Sequence, residues 1–333
     1  MHLPNSQLKA IKLLSLSGLI ALTQACTIAP FQAEIDTPAP SETAFVSADQ
    51  DTPVQLSYSH QLPAEGVHAK GPLLNYYYQQ NAKNIDMSEF FLNALKNEVQ
   101  ARAMPVTFDG QAADALKLIS YDTIVHRSNG FAPLVMIASA KLDLTHQGET
   151  YRIGAMIKRA KVPIWTLTEE PLIEATINQP QELLVKEVAA KINGVLFNNQ
   201  LTDAEVEKLV KEVHASINTD EDSAYQKVYE LGFSNNPNAL AALKELSSHK
   251  AEYIRLAAIS GMGMVGKATA FEDLKKLHES GRQWQDRAVA LKAIGDIQTP
   301  ETIAYLKAEQ AKWEGDTSTE GVWNKQLLGL FVD

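Results

Sequence analysis

The sequence predicts an α+β fold, an antiparallel sheet with two packed helices, followed by an all-α array of repeated helical hairpins. Three observations carry that expectation. Alternating strand patterns dominate residues 54–199, helical periodicity dominates residues 202–333, and the second region repeats itself at a shift of 32 residues. A leader over 1–25 and a linker over 26–53 precede both parts.

The leader places Lys9 and Lys12 before an apolar run from Leu13 to Leu22, followed by small or polar residues up to Cys26, the only cysteine. Charge, apolar core and cleavage site in that order make a secretory signal. Its core is shorter than the roughly 20 residues a membrane-spanning helix needs. Leu22-Thr23-Gln24-Ala25-Cys26 resembles the lipobox of bacterial lipoproteins, with Thr23 standing where leucine is commonest. The resemblance implies that the leader is cut before Cys26 and that acyl chains on this residue anchor the protein. Thr27, in place of the aspartate that signals inner-membrane retention in that family, implies the outer membrane, facing the periplasm.

Beyond Cys26 the chain is rich in Ala, Pro, Thr, Ser and acids, with Pro30, Pro38, Pro40 and Pro53 interrupting any regular element. This composition predicts a flexible tether. The 333 residues carry a formal charge of -10, and loss of the leader, with two lysines and no acid, makes it -12. Nucleic acid is a poor partner for such a chain, because phosphate contacts need clustered Lys and Arg. No disulfide can form within the chain, so packing must stabilise it.

Val54 to Tyr58 alternates as a short strand, and the glycines and prolines of 63–72 predict a loop. Met87, Phe90, Phe91, Leu95 and Val99 predict a helix, with Asp86 or Ser88 as N-cap and Met104-Pro105 at its end. Strands are expected over Leu116 to Val125, Leu134 to Leu144 and Thr150 to Ile157, the last two joined by a turn at His146-Gln147-Gly148-Glu149. Leu184, Val185, Val188, Ile192 and Val195 mark a second helix over 181–197. This order is similar to that of small bacterial envelope lipoproteins, including auxiliary components of ABC transporters, whose body is an antiparallel sheet faced by two helices.

In the helical region, Arg255, Ala258, Ile259, Met262 and Gly263 recur as Arg287, Ala290, Leu291, Ile294 and Gly295, and Phe271 and Leu274 recur as Ile303 and Leu306. A weaker copy around Val228, Leu231 and Gly232 precedes them, with Ala224 in place of the arginine. One hairpin cannot bury its own apolar face, so copies must stack. Asp286-Arg287-Ala288 followed by Ala290, Leu291, Ala293, Ile294 and Gly295 resembles HEAT-type repeats, which implies a HEAT-like solenoid over 202–333 and an extended surface for protein partners. The apolar end, from Val322 and Trp323 to Leu330 and Phe331, is expected to close the stack.

Motifs for chemistry are scarce. Gly261-Met-Gly263-Met-Val-Gly266-Lys267-Ala268 approximates a phosphate loop, but Ala268 lacks the hydroxyl that would meet Mg²⁺ and no strand precedes it. An inter-helix turn is the expectation there. No His-Glu-x-x-His, no zinc spacing and no Gly-x-Ser-x-Gly occurs. We therefore expect no catalytic residue, no metal and no cofactor. Tyr76, Tyr77 and Tyr78 form an aromatic run that is a candidate recognition patch, and Arg282 and Trp284 precede a repeat helix as candidate partner contacts. The expected function is a membrane-anchored, non-enzymatic scaffold for an envelope protein. The alternatives are an envelope hydrolase, which needs a polar cleft, or a lipid-binding transport auxiliary, which needs an apolar cavity between the sheet and its helices.

Overall fold

A computed structural model describes residues 31–47, 52–63, 66, 68–71, 75–126, 133–161 and 173–333. The expected leader over residues 1–25 and Cys26 lie outside them. In chain order the first strands are β1 (Phe31–Glu34), β2 (Val54–His60), β3 (Ala69–Lys70), β4 (Tyr76–Gln80) and β5 (Lys83–Asn84). Helix α1 (Met87–Ala101) follows, then β6 (Val106–Phe108), β7 (Asp114–His126), β8 (Leu134–His146), β9 (Glu149–Lys161) and helix α2 (Gln179–Leu196).

The long strands β7, β8 and β9 form an antiparallel meander. Gln147 and Gly148, at φ 53° and 85°, make the two-residue turn between β8 and β9, the backbone that matches strand twist in a tight hairpin. Along β7 the buried positions change parity, from Leu116 and Leu118 to Tyr121 and Val125, because the register shifts between Leu118 and Ser120. One extra residue there keeps both halves of the strand facing the core.

The sheet is mixed, not antiparallel as expected. β2 and β3 both run parallel to β7, β2 runs parallel to β6, and β1 runs parallel to β4. The chain passes from β2 through α1 before returning in β6 and β7, and a helical crossover of this kind delivers a parallel neighbour. Helices α1 and α2 pack on each other, and α2 lies against β8 and β9. Asp86 caps α1 by accepting from the N–H groups of Ser88 and Glu89 at 2.8 and 3.0 Å.

The expected tether is tied to the body from Phe31 onward. Phe31, Ala33 and Ile35 alternate with polar residues, and β1 pairs with β4 from Phe31↔Tyr76 to Glu34↔Gln79. Further along, Ser41 donates from both N–H and Oγ to Glu98 at 2.7 Å. Arg102 donates to the Thr43 carbonyl at 2.8 Å and stacks on the buried Phe45 ring at 4.9 Å. Prolines hid this strand pattern, and burial of Ala33, Ile35 and Phe45 fixes the segment.

The remainder is helical: α3 (Asp203–Ser216), α4 (Glu221–Phe233), α5 (Leu240–Leu246), α6 (Glu252–Gly266), α7 (Phe271–Ser280), α8 (Trp284–Ile297), α9 (Pro300–Trp313) and α10 (Thr319–Leu328). Alternate helices α4, α6, α8 and α10 pack successively into one row, while α3, α5, α7 and α9 flank it. Helix α8 touches β9, and one hydrophobic core runs from Phe91 and Leu142 through Tyr225 and Ile259 to Phe331. The final residues cross the sheet: Leu330, Phe331 and Val332 are buried, and the Asp333 carboxylate pairs with Lys141 at 2.7 Å and Arg152 at 3.1 Å.

Candidate functional site at the sheet and hairpin junction

The helical hairpins repeat their contacts as well as their residues. Arg255 Nε donates to Asp286 at 2.8 and 2.9 Å, while its Nη1 donates to the His249 carbonyl at 3.0 Å. Thirty-two residues later, Arg287 pairs with Glu320 at 2.5 Å and its Nη1 donates to the Gly281 carbonyl at 2.8 Å. Each arginine thus ties the loop before its own helix to an acid of the next hairpin. Glycine does the rest: a Cβ at Gly232 would lie 2.7 Å from the Gly261 Cα, and one at Gly263 would strike the Ala293 carbonyl oxygen. These two positions need a bare backbone because adjacent helices of the row touch there.

The same contacts identify the phosphate-loop-like run. Gly261, Gly263 and Gly266 belong to α6, so the stretch is mostly helix and only its end, at Gly266-Lys267, is the expected turn. Its N–H groups serve the helix, not an anion.

Where the row meets the sheet, four charged side chains converge away from water. Glu187 and Lys191 come from one turn of α2, and Lys292 and Asp296 from one turn of α8. Lys292 pairs with Glu187, and its Nζ lies 2.8 Å from both Asp296 and the Ser260 hydroxyl. Lys191 pairs with Glu187 at 2.5 Å and Asp296 at 2.6 Å. The cluster also closes the sheet edge, since Met156 N–H donates to Glu187 at 3.3 Å and the Gly154 carbonyl accepts from Lys191 at 2.5 Å. Those outward backbone groups of β9 would otherwise be buried without partners.

Burial works against every charge here, and the neighbours decide the outcome. Desolvation raises the Glu187 carboxyl, but Lys191 and Lys292 overcome it and hold the group below the usual carboxylate range. For Lys292, Asp296 and Glu187 outweigh desolvation and raise the ammonium. Lys191 and Asp296 go the other way, desolvation prevailing, so Lys191 is lowered and Asp296 raised. Two acids and two bases leave the cluster formally neutral, the condition under which buried charges are tolerated.

Beside this junction, on the opposite side of β9, a groove of about 400 Å³ lies between the sheet and α10. Ile124, Ile137, Met156, Trp323, Leu327 and Leu330 supply its apolar walls, with Ser120, Asp122 and Lys325 as polar neighbours. Lys325 is held by the Asp316 carbonyl at 2.7 Å. The Trp284 and Trp323 rings approach to 6.1 Å next to Met156.

The sequence candidates are scattered. Tyr76 and Tyr78 are buried along β4, whereas Tyr77 lines a cleft of about 530 Å³ with His60, His68 and Asp86. His68 Nδ1 accepts from the Tyr78 N–H at 2.6 Å, and burial pushes the imidazole below its ordinary pKa. Arg282 is exposed, and Trp284 is half-buried at the groove. Among the described residues, no three His, Cys, Asp or Glu side chains gather as a metal site, and no helix is long and apolar enough to cross a membrane. Sequence reasoning missed the four-charge cluster. Its signal was two i,i+4 acid–base pairs set into apolar helix stripes, Glu187 beside Val185 and Val188, and Lys292 beside Leu291 and Ala293.

No protein-family model matches this chain, and no curated protein matches it. Several solved structures are similar to part of it. A crystal structure of an uncharacterized protein aligns with TM-score 0.32 and 11% identity, covering 48% of this chain and 99% of its own. The crystal structure of a minor lipoprotein from Acinetobacter baumannii aligns with TM-score 0.29 and 13% identity, covering 45% of this chain and 100% of its own.

Proposed function

We propose that this chain is an envelope lipoprotein, anchored by acyl chains on Cys26 at the periplasmic side of the outer membrane, and that it acts without catalysis as a scaffold for another envelope protein. The reading takes residues 202–333 as a HEAT-like stack. One observation carries it: Arg255 and Arg287, 32 residues apart, tie successive hairpins by the same pair of contacts. Because the α4, α6, α8 and α10 row is occupied against the sheet and the flanking helices, the exposed sides of α5, α7 and α9 are the partner surface.

The test is crosslinking in native envelopes from a photoreactive residue at position 276, which is exposed on α7. A defined adduct that is lost when Lys244→Glu and Lys307→Glu, on the exposed sides of α5 and α9, are added supports the scaffold. An adduct unaffected by those changes, or none, counts against it. Anchoring is tested separately by Cys26→Ser, which should move the protein to the soluble fraction.

The groove under α10 favours a second reading, carriage of an apolar ligand. It predicts lipid co-purifying with the protein and lost in Trp323→Ala.

A further inference from the structure

The lipid anchor and the fold lie much closer together than the composition suggests. A free linker from Cys26 to Pro53 would reach roughly 90 Å when extended. In the structure the chain is fixed from Phe31, whose N–H donates to the Asn75 carbonyl at 2.7 Å and whose ring meets Tyr76 edge-on at 5.5 Å. Five residue steps separate Cys26 from Phe31, a reach of at most about 18 Å.

That reach is short compared with the sheet. Crossing from β1 through β4, β3, β7 and β8 to β9 takes five strand spacings, about 24 Å. The helical row docks at β9, through the Lys158–Glu252 pair at 2.6 Å and the four-charge cluster. An anchor tied to β1 therefore leaves the β9 edge, where the row docks, beyond its radius. Among the described residues, α10 alone reaches back over the sheet face, to the groove that Lys70 also lines.

Charge points the same way. Residues 202–333 contain 21 acids and 15 bases, a net of -6, whereas residues 54–199 contain 14 acids and 13 bases, a net of -1. An anionic surface repels the hairpins more than the sheet. Near the β1 corner, Ala69 pairs with Tyr76 and with Thr123, and Lys70 beside it is exposed.

We propose that the β1 corner of the sheet is the face that rests on the lipid bilayer, and that the helical hairpins are held on the far side, turned toward the aqueous compartment. The inference rests on acylation of Cys26. It deepens the scaffold reading by stating where the partner must come from: the aqueous side, not the plane of the membrane.

The experiment uses the full acylated chain in vesicles of phosphatidylethanolamine and phosphatidylglycerol containing nitroxide-labelled lipid. Because acylation consumes Cys26, a cysteine introduced by Lys70→Cys or by Lys276→Cys is the one thiol available to a fluorophore. Quenching several-fold stronger at position 70 than at 276 is expected, and an insertion of about 20 Gly and Ser residues after Thr27, raising the reach to roughly 85 Å, should erase the difference. Equal quenching at both positions in vesicle-bound protein, or a difference that survives the insertion, overturns the orientation and leaves acylation standing. Failure of the acylated preparation to sediment with vesicles overturns the anchoring and the orientation together. A second pair, His126→Cys near the corner and Lys307→Cys on α9, repeats the comparison should either first variant fold poorly.

Discussion

Lys292 and Glu187 lie 105 residues apart in sequence and form an ion pair from which water is wholly excluded. Each belongs to a different part of the chain, α8 and α2, so the pair joins the helical row to the sheet. Apolar packing could have joined them too. What charge adds is a demand for one arrangement, because any sliding of α8 along α2 would leave a charge buried alone.

Lys292→Met removes one of the two cations and leaves both buried carboxylates to share Lys191. We expect a loss of about 3–5 kcal/mol in chemical denaturation, the range for breaking one partner of a buried pair. Combining it with Glu187→Gln should recover part of that loss. A double mutant no better than the sum of the singles would show that the pair makes no specific contribution.

Glycine contacts give a cleaner contrast. Gly263→Ala places a methyl against the Ala293 backbone and should cost roughly 1–3 kcal/mol, the usual range for overpacking. Gly194→Ala, in α2 with open space around the new Cβ, should stabilise by about 0.5–1 kcal/mol through helix propensity. Thermal melts of the two proteins in parallel decide it, and similar shifts in both would refute the close-approach account of the row.

How much of this was legible beforehand depends on how far a signal extends along the chain. The meander β7, β8 and β9 and both sheet-packing helices were readable because 13 or more residues repeat a period, and so were the hairpins, since Arg255 and Arg287 mark their own equivalence. Strands β3, β5 and β6, with two or three residues each, carry no period to read. Their partners come from β7, β4 and β2, and hence from tertiary structure. The prolines around β1 pointed to a tether because Pro38 and Pro40 speak locally, whereas Glu98 and Arg102, which hold the segment, lie about 60 residues away. The burial of Lys292 was illegible for the same reason: Glu187, which it meets, lies 105 residues away.

His68 predicts a pH dependence. Burial lowers its folded pKa beneath the unfolded imidazole value near 6.5, so the folded state binds fewer protons than the unfolded one in that window. Stability is then present above about pH 6.5 and lost as pH falls through the lowered folded value. His68→Gln should flatten this part of the curve of stability against pH between about 7 and 5. An unchanged slope would mean that His68 takes up its proton equally in the folded and the unfolded state.

The last prediction concerns Arg255, which spans two hairpins. Its guanidinium gives Nε to Asp286 and Nη1 to the His249 carbonyl, a division of labour that a lysine ammonium cannot copy from one position. Arg255→Lys keeps the charge and should still lose about 1–2 kcal/mol, close to the loss in Arg255→Ala, because charged hydrogen bonds of this kind contribute roughly 1.5–3 kcal/mol. Arg287→Lys should behave alike, given its matching bonds to Glu320 and Gly281. If lysine at 255 restored full stability, charge alone would suffice there, and the geometric equivalence of the two arginines would no longer explain how the hairpins are spaced.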